Sequence, residues 1–235
     1  MTLADLVARA RCLLIDFDGP LCAVFTGHPS AAVAQQLHDI VRERFDGELP
    51  SGIAALSSDP LQILGQVDAL GDDELTRAVA DACRDAETVA MATARPTPGA
   101  EDLLRVAHHT GRRVAIVSNN ASQAIETYLR GHNLTRYIDG VSARFDGMPP
   151  RLLKPHPFLI ERGLTTVHAQ PADAVFIGDS VTDVEAGQAA GTPTIGYANK
   201  PGKYQRLTDA GADTVIDTMK SLVQALQPVA TGPYT

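Results

Sequence analysis

Two carboxylates, separated by one residue, follow the first apolar run of the chain. Residues 13–15 form a short apolar run typical of a buried strand in a parallel sheet, and Asp16 and Asp18 come directly after it. Both side chains would then leave the carboxyl end of the strand on the same side, where doubly wound folds bind their ligands. The alternative interpretation is a strand followed by an ordinary turn at Asp18 and Gly19.

A hydroxyl and an amide follow a second apolar run. Residues 114–117 are apolar, and Ser118 and Asn119 come next, shortly before a helix that the pattern predicts over residues 122–131. As helix caps, these side chains would only satisfy free backbone N–H groups. As ligands, they would help to capture an anion at the start of the helix.

A lysine stands at position 154, directly before Pro155, at the predicted start of another helix. One interpretation of Lys154 is an ordinary solvated surface residue, because lysine is seldom buried. The other is a point charge directed at phosphate. For His156 nearby we expect a helix-start residue and not a ligand.

A third apolar run, residues 174–177, ends before Gly178 and Asp179, and Asp183 follows four residues later. Asp179 could cap the next helix, and Asp183 would be favoured in its first turns by the helix dipole. Capping explains one of these carboxylates. It does not explain why a second strand delivers an acid at the sheet edge where Asp16 emerges.

Taken together, these segments predict a metal-assisted phosphate site. Clustered carboxylates repel one another, so that such a group needs a cation. Oxygen ligands without a His or Cys cluster indicate Mg²⁺. A lysine and a hydroxyl beside this group suit the oxygens of a phosphate.

The order of apolar runs predicts the architecture around this site. Strands at 114–117, 174–177, 192–196 and 213–216 alternate with helical stretches, which indicates an α/β fold with a doubly wound parallel sheet. Strand-free helical patterns over 31–45, 61–70 and 72–91 interrupt this rhythm. We therefore predict an α/β catalytic core of residues 1–21 and 96–235 with an inserted all-helical cap domain of residues 22–95.

Two local signals support the helix starts within this scheme. Ser30 is a candidate N-cap for the helix at 31–45, and Thr97 is a candidate N-cap for a helix at 100–107. The Pro- and Gly-rich stretch 95–99 resembles a return hinge between the two domains. A second hinge is expected around residues 22–27.

Composition excludes several classes of function. The 235 residues are 44% hydrophobic with a net charge of −8, and scattered Arg and Lys give no nucleic-acid footprint. No apolar run is long enough for a membrane span, and the first residues do not resemble a secretory signal. The three cysteines, Cys12, Cys22 and Cys83, lack metal-ligand spacing, so we expect structural roles and a cytoplasmic location.

The four segments resemble, in order and in spacing, the motifs of haloacid dehalogenase (HAD) superfamily phosphatases. The Asp-Phe-Asp-Gly at 16–19, the Ser-Asn at 118–119, the Lys-Pro at 154–155 and the Gly-Asp at 178–179 followed by Asp183 carry the resemblance. The match extends over essentially the whole chain and is closest to the phosphoglycolate-phosphatase-like subgroup. The helical insert lies where that subgroup has its cap.

The resemblance implies a role for each matched residue. Asp16 would be the nucleophile that forms an aspartyl phosphate, and Asp18 the general acid and then the base. Mg²⁺ would be held by Asp16, by the backbone carbonyl of Asp18 and by Asp179, with Asp183 in support. The phosphoryl oxygens would be bound by the residues Gly19, Ser118, Asn119 and Lys154.

The implied function is hydrolysis of a small phosphorylated metabolite, by a monomer or a homodimer that binds neither nucleic acid nor membrane. Two alternatives stay open: a phosphosugar mutase of the β-phosphoglucomutase type, and a non-catalytic phosphate-binding protein. Pro20 departs from the family, which usually has Thr there, so that Asp18 would need another hydrogen-bond partner. The residues first considered for substrate specificity are His28, Arg42, Arg44 and Lys200.

Overall fold

The computed structural model describes residues 2–55 and 58–227. Its helices are α1 (Leu3–Arg9), α2 (Ser30–Arg44), α3 (Ser51–Ala54), α4 (Pro60–Asp68), α5 (Asp73–Ala90), α6 (Ala100–His109), α7 (Ser122–Gly131), α8 (Phe158–Thr166), α9 (Val181–Ala189), α10 (Lys203–Asp209) and α11 (Met219–Leu226). Its strands are β1 (Cys12–Ile15), β2 (Cys22–Ala23), β3 (Arg95–Pro96), β4 (Arg113–Ala121), β5 (Gly140–Arg144), β6 (Ala174–Gly178), β7 (Thr194–Tyr197) and β8 (Thr214–Ile216).

Six strands form one parallel sheet in the order β5-β4-β1-β6-β7-β8. Every residue of β1 and β6 is buried, which explains their near-continuous apolar sequence, because helices cover a parallel sheet on both faces. Ile15 of β1 is in register with Ile116 of β4 and Ile177 of β6. The residues that follow these three aligned positions therefore emerge at the same level of one sheet edge. The predicted α/β fold is confirmed.

One strand of the sheet was not predicted. β5 contains Gly140, Ser142 and Arg144, and these residues break the apolar run by which strands are recognised. Ser142 is nevertheless fully buried, because its hydroxyl donates to the carbonyl of Leu159 at 2.7 Å. Arg144 is also buried, in an ion pair that belongs to the candidate site. The strand expected at 192–196 is β7 and begins two residues later.

The four helices α2 to α5, which we call the cap helices, lie in sequence between β2 and β3. These two short strands pair antiparallel, so that the chain leaves and rejoins the core side by side. Residues spaced one helical turn apart are buried on α2 and α5, and they join one apolar cluster that also includes Leu14 and Phe176 of the sheet. The division into separate domains at residues 22 and 95 stays a prediction.

The two predicted N-caps are wrong. Pro29 occupies the cap position of α2, and Ser30 begins the helix without capping it. Gly99, at φ +84°, precedes α6 in the same way. The hydroxyl of Thr97 instead donates to the carbonyl of Gly19 at 2.6 Å, which ties the returning chain to the loop that follows β1.

The structure also bears on the predicted roles of the cysteines and on the predicted absence of a membrane span. Cys12, Cys22 and Cys83 are free and buried, as structural cysteines are. Among the helices of the described ranges, none is both long and apolar enough to cross a membrane.

Candidate active site

The carboxyl ends of neighbouring strands bring three acids together. Asp16 follows β1 and donates its backbone N–H to the carbonyl of Ile177 on β6 at 2.9 Å, while Asp179 follows β6 itself. One carboxylate oxygen each from Asp16, Asp179 and Asp183 lies within 4.8 Å of the others. The predicted convergence of these residues is therefore present in the fold.

Lys154 lies in the middle of this acidic cluster. Its ammonium donates to Asp16 Oδ1 at 2.8 Å and to Asp183 Oδ1 at 2.6 Å, and its side chain is only 3% exposed. The surface interpretation of Lys154 is therefore wrong. Burial opposes the charged form, but attraction to the two carboxylates outweighs it, so that the pKa of Lys154 lies above its ordinary value.

Asp183 connects this lysine to the start of α9. Its Oδ2 accepts the backbone N–H groups of Asp179 and Ser180, both at 3.0 Å, and the Ser180 hydroxyl at 2.7 Å. Ser180, and not Asp179, is the N-cap of α9. A Cβ on Gly178 would lie 2.3 Å from the Cβ of Asp183, so only glycine leaves room for this arrangement.

Burial disfavours the ionised form of the two acids after β1. It raises the pKa of Asp16 to about 7; Lys154 counteracts this rise, and repulsion from Asp183 and Asp179 adds to it. Burial also raises the pKa of Asp18 to about 6, against a hydrogen bond from the backbone N–H of Val24. Binding of a cation among these carboxylates would therefore be favourable, because it would relieve their mutual repulsion.

The loop after Asp18 is shaped by a glycine and by the neighbouring acid. Gly19 has φ +110°, and a Cβ at this position would lie 2.4 Å from Asp179 Oδ2. Its backbone N–H donates to the carbonyl of Cys22 at 2.7 Å. Val24 donates its N–H to Asp18 Oδ1 at 3.0 Å, and this is the partner that Asp18 needs in the absence of a hydroxyl at position 20.

Asp179 is held by two residues that the sequence interpretation did not single out. Asn199 Nδ2 donates to Asp179 Oδ2 at 2.9 Å, and the ammonium of Lys203 also donates to this oxygen. Burial raises the pKa of Asp179, and Lys203 opposes the rise. Both residues follow β7, which pairs with β6, so a search of the loop after the next strand could have found them.

Ser118 and Asn119 belong to the end of β4 and do not cap α7, which begins after Ala121 without a side-chain cap. The side chain of Asn119 accepts the N–H of Lys154 at 2.8 Å and donates to its carbonyl at 3.2 Å. Asn119 thereby fixes the backbone from which Lys154 reaches the acids. Ser118 is almost fully buried, and its hydroxyl donates to Asn120 Oδ1 at 3.1 Å.

A cavity of about 720 Å³ opens above these residues, between the sheet edge and the cap helices. The polar side chains that α4 contributes to its lining are those of Gln62 and Gln66, and Arg151 lines it from the loop before Lys154. Sequence reasoning missed all three, because neither an amide on an amphipathic helix nor an arginine in a connecting segment belongs to a motif.

None of the four residues predicted to determine substrate specificity lines this cavity. Arg42 and Arg44 form surface ion pairs with Asp39 and Asp72, both at 2.7 Å. Lys200 lines a smaller, adjoining cavity beside Asp18, and His28 is partly buried in the loop before α2.

His156 has a structural role, as expected. Its Nδ1 accepts the backbone N–H of Phe158, the first residue of α8, at 3.1 Å, and the side chain is exposed. It therefore satisfies a free N–H group at the helix start.

Comparisons with known proteins show which family the chain resembles. The family model described as haloacid dehalogenase-like hydrolase matches residues 56–197. A phosphoglycolate phosphatase of Cupriavidus necator is 31% identical over 140 residues, which cover 58% of this chain and 58% of that protein. The aligned region therefore spans less than two thirds of that relative.

Two further similarities extend over most of the chain. A phosphoglycolate phosphatase of Nitrosospira multiformis is 28% identical over 224 residues, which cover 89% of this chain and 94% of that protein. A solved structure from Clostridium acetobutylicum, described as a predicted phosphatase, superposes with a TM-score of 0.67 at 21% identity and covers 90% of this chain and 95% of that one. At this identity the structural likeness supports the fold alone.

Proposed function

Because this chain belongs to the family of haloacid dehalogenase-like hydrolases, we propose that it is a Mg²⁺-dependent phosphatase that hydrolyses a small phosphorylated metabolite through an aspartyl phosphate. One observation carries the proposal. A buried lysine bonds two carboxylates of a three-carboxylate cluster at the carboxyl edge of the sheet. This edge is the place where a doubly wound fold binds its ligand.

The first chemical step belongs to Asp16 and Asp18. An oxygen of Asp16 attacks phosphorus, the bond between phosphorus and the ester oxygen breaks, and Asp18 donates its proton to the departing oxygen. The raised pKa of Asp18, about 6, keeps part of this carboxyl protonated near neutral pH.

The second step regenerates the acid pair. Asp18, now ionised, takes a proton from water, and the oxygen of that water attacks the phosphorus of the aspartyl phosphate. The bond between Asp16 and phosphorus breaks, inorganic phosphate leaves, and Asp18 is again protonated. Val24, which donates to Asp18 Oδ1, keeps this carboxyl in place during both steps.

Binding of the phosphoryl group falls to the residues around Lys154. Lys154 supplies its positive charge, and the backbone at Asn119 adds a donor. The Ser118 hydroxyl, whose single proton is donated to Asn120 Oδ1, would turn toward the phosphoryl oxygens when they bind. Gly19 contributes the space beside Asp179, while its own N–H is already bonded to Cys22. Catalysis by these groups consists mainly of placement and charge neutralisation.

The donor set fits Mg²⁺. Carboxylate oxygens are the ligands that this hard cation prefers, and one oxygen each from Asp16, Asp179 and Asp183 already lies within 4.8 Å of the others. Asp16, the carbonyl of Asp18 and Asp179 would hold the ion, because the oxygens of Asp183 are taken by Lys154 and by the start of α9. When bound, Mg²⁺ supplies charge neutralisation for the phosphoryl oxygens and the carboxylates.

The cavity suits a small metabolite as the partner, and free buried cysteines support a cytoplasmic location. A monomeric or homodimeric state stays a prediction. A phosphosugar mutase would use the same Asp16 but pass the phosphoryl group to a sugar hydroxyl. A non-catalytic phosphate-binding protein would bind the anion without any turnover.

The test is phosphate release from a panel of phosphorylated metabolites in Mg²⁺ buffer. We expect Asp16→Asn to lose at least about 10⁴-fold in kcat, since it removes the nucleophile and keeps the shape. The control is Asp39→Asn, on the surface of α2, which should match the parent. Equal rates for Asp16→Asn and the parent contradict the assignment. Turnover only with a bisphosphate activator would instead favour the mutase.

A further inference from the structure

A buried ion pair joins the cap helices to the end of β5, beside the end of β4 that carries Ser118 and Asn119. Glu87 lies on α5 and is 1% exposed, and its Oε2 accepts from Arg144 Nη2 at 2.7 Å. The same oxygen accepts the backbone N–H of Ala121, also at 2.7 Å. One carboxylate of a cap helix therefore binds the ends of both β4 and β5.

The guanidinium of Arg144 uses its remaining donors in the same place. Its Nε donates to the carbonyl of Asn119 at 3.1 Å, and its Nη1 donates to the carbonyl of Ala80 on α5 at 3.3 Å. Arg144 thereby holds the backbone of the residue whose side chain fixes Lys154. A planar fork of this kind can serve three acceptors at once, which a lysine cannot do in the same geometry.

A second connection runs through Asn120 to the hydroxyl of Ser118. Asn120 Nδ2 donates to Glu87 Oε1 at 3.2 Å, and Asn120 Oδ1 accepts from the Ser118 hydroxyl at 3.1 Å. An ionised carboxylate can only accept, so Glu87 determines which end of the Asn120 amide faces Ser118. The orientation of that hydroxyl therefore depends on a residue of the cap helices.

Arg84, which lies on α5 itself, makes a similar link without these contacts. Arg84 donates to Asp146, in the loop after β5, at 2.9 Å and also pairs with Asp81 and Asp85 on its own helix. Arg84 is partly exposed, and its partners are surface carboxylates. It connects the same two parts of the chain and provides a matched comparison for Arg144.

From these contacts we infer that Glu87 and Arg144 are positioning residues, which fix the end of β4 where Ser118 and Asn119 would bind the phosphoryl group and couple its position to the placement of α5. The inference rests on the proposed function, because it assigns phosphate binding to Ser118 and Asn119. It assigns Glu87 and Arg144 no contact with the reacting atoms. Their loss should weaken phosphate binding more than it slows turnover.

The test compares Arg144→Lys with Arg84→Lys. Arg144→Lys keeps the charge opposite Glu87 but loses the fork that holds Asn119 and Ala80. We expect its dissociation constant for inorganic phosphate, measured by calorimetry with Mg²⁺ present, and its KM to rise about fivefold or more, with kcat within about threefold of the parent. Arg84→Lys should stay within about twofold of the parent in all three quantities.

A double variant distinguishes weakened phosphate binding from a loss of folding. Glu87→Met together with Arg144→Met replaces the charges by apolar side chains of similar length, so that no unpaired charge stays buried. We expect a higher thermal midpoint than in Glu87→Met alone, together with the weakened phosphate affinity of Arg144→Lys. Recovery of both stability and phosphate affinity in the double variant would show a purely structural pair and overturn the inference.

The remaining outcomes separate this inference from the proposed function. Parent-like phosphate affinity and KM in folded Arg144→Lys, with an active parent, overturn the positioning role alone. A lower kcat and thermal midpoint with unchanged phosphate affinity do the same. Weakened phosphate binding in Arg144→Lys, with a parent that binds phosphate but releases none from any substrate, supports the positioning role and contradicts the proposed phosphatase.

Discussion

The two sides of the cavity differ in their chemistry. The sheet edge presents ionisable groups, with Lys154 bonded to Asp16 and Asp183. The cap helices contribute the neutral amides of Gln62 and Gln66, together with Glu87, whose charge is paired with Arg144 and not left for a ligand. Charged groups in a buried site can stabilise the charge that develops in phosphoryl transfer, whereas neutral amides mainly orient what binds. We therefore expect the reaction to take place at the sheet edge and the cap helices to influence the choice of substrate.

The largest effect is expected from removal of the central charge on the sheet side. Lys154→Met leaves Asp16 and Asp183 buried without their cation, which should cost about 3–5 kcal/mol of stability at pH 8 in metal-free protein. We expect kcat to fall by at least about 10³-fold, because a donor to the phosphoryl oxygens is lost. Denaturant unfolding and steady-state kinetics measure the two effects.

The control for that experiment is Lys220→Met, an exposed lysine on α11. Its stability and kcat should stay close to those of the parent. If Lys154→Met is as active as Lys220→Met, the sheet side does not stabilise the charge of the phosphoryl group as proposed.

A second substitution on the sheet side, Asp18→Asn, should change activity and stability in opposite directions. Asp18→Asn should lower kcat by about 10²–10³-fold, since it removes the general acid. Because burial raises the pKa of Asp18 to about 6, the folded parent binds a proton more tightly than the unfolded chain, so its ionisation lowers stability as pH rises. Metal-free Asp18→Asn should therefore become more stable than the parent.

This gain in stability should grow by about 1 kcal/mol between pH 5 and pH 8, because little of the folded parent is ionised at Asp18 at the lower pH. Thermal or denaturant unfolding at the two pH values, in the presence of a chelator, measures it. A gain that is equal at both pH values would argue against a raised pKa at this position.

The smallest effect is expected on the cap side. Gln62→Ala or Gln66→Ala removes one amide from the cavity lining, so KM for the best substrate should rise about two- to tenfold and kcat should hardly change. The order of preference among substrates should also shift. Gln35→Ala, which alters an exposed amide on α2 bonded to Asp39, is the matched control. A large loss of kcat in either cavity variant would show that the cap side also takes part in the reaction.

The contrast also explains which parts of the site could be recognised beforehand. Asp16 and Asp179 directly follow two neighbouring parallel strands, so their convergence follows from the geometry of the sheet. Lys154 was expected at a helix start, but α8 begins only at Phe158, so that only its place in the motif order marked it. Glu87 and Arg144 carry no such signal. Glu87 reads as one polar residue on an amphipathic helix, and Arg144 interrupts the pattern of its own strand.

The sequence by itself determined the α/β architecture and the set of groups that meet at the sheet edge, because apolar periodicity specifies strands and parallel strands end on one side. Only the tertiary structure decided that Lys154 is buried between Asp16 and Asp183, and that Glu87 reaches across to Arg144. The physical reason is that a buried charge is tolerated only beside its partner. Those partners lie 138, 29 and 57 residues apart in the chain.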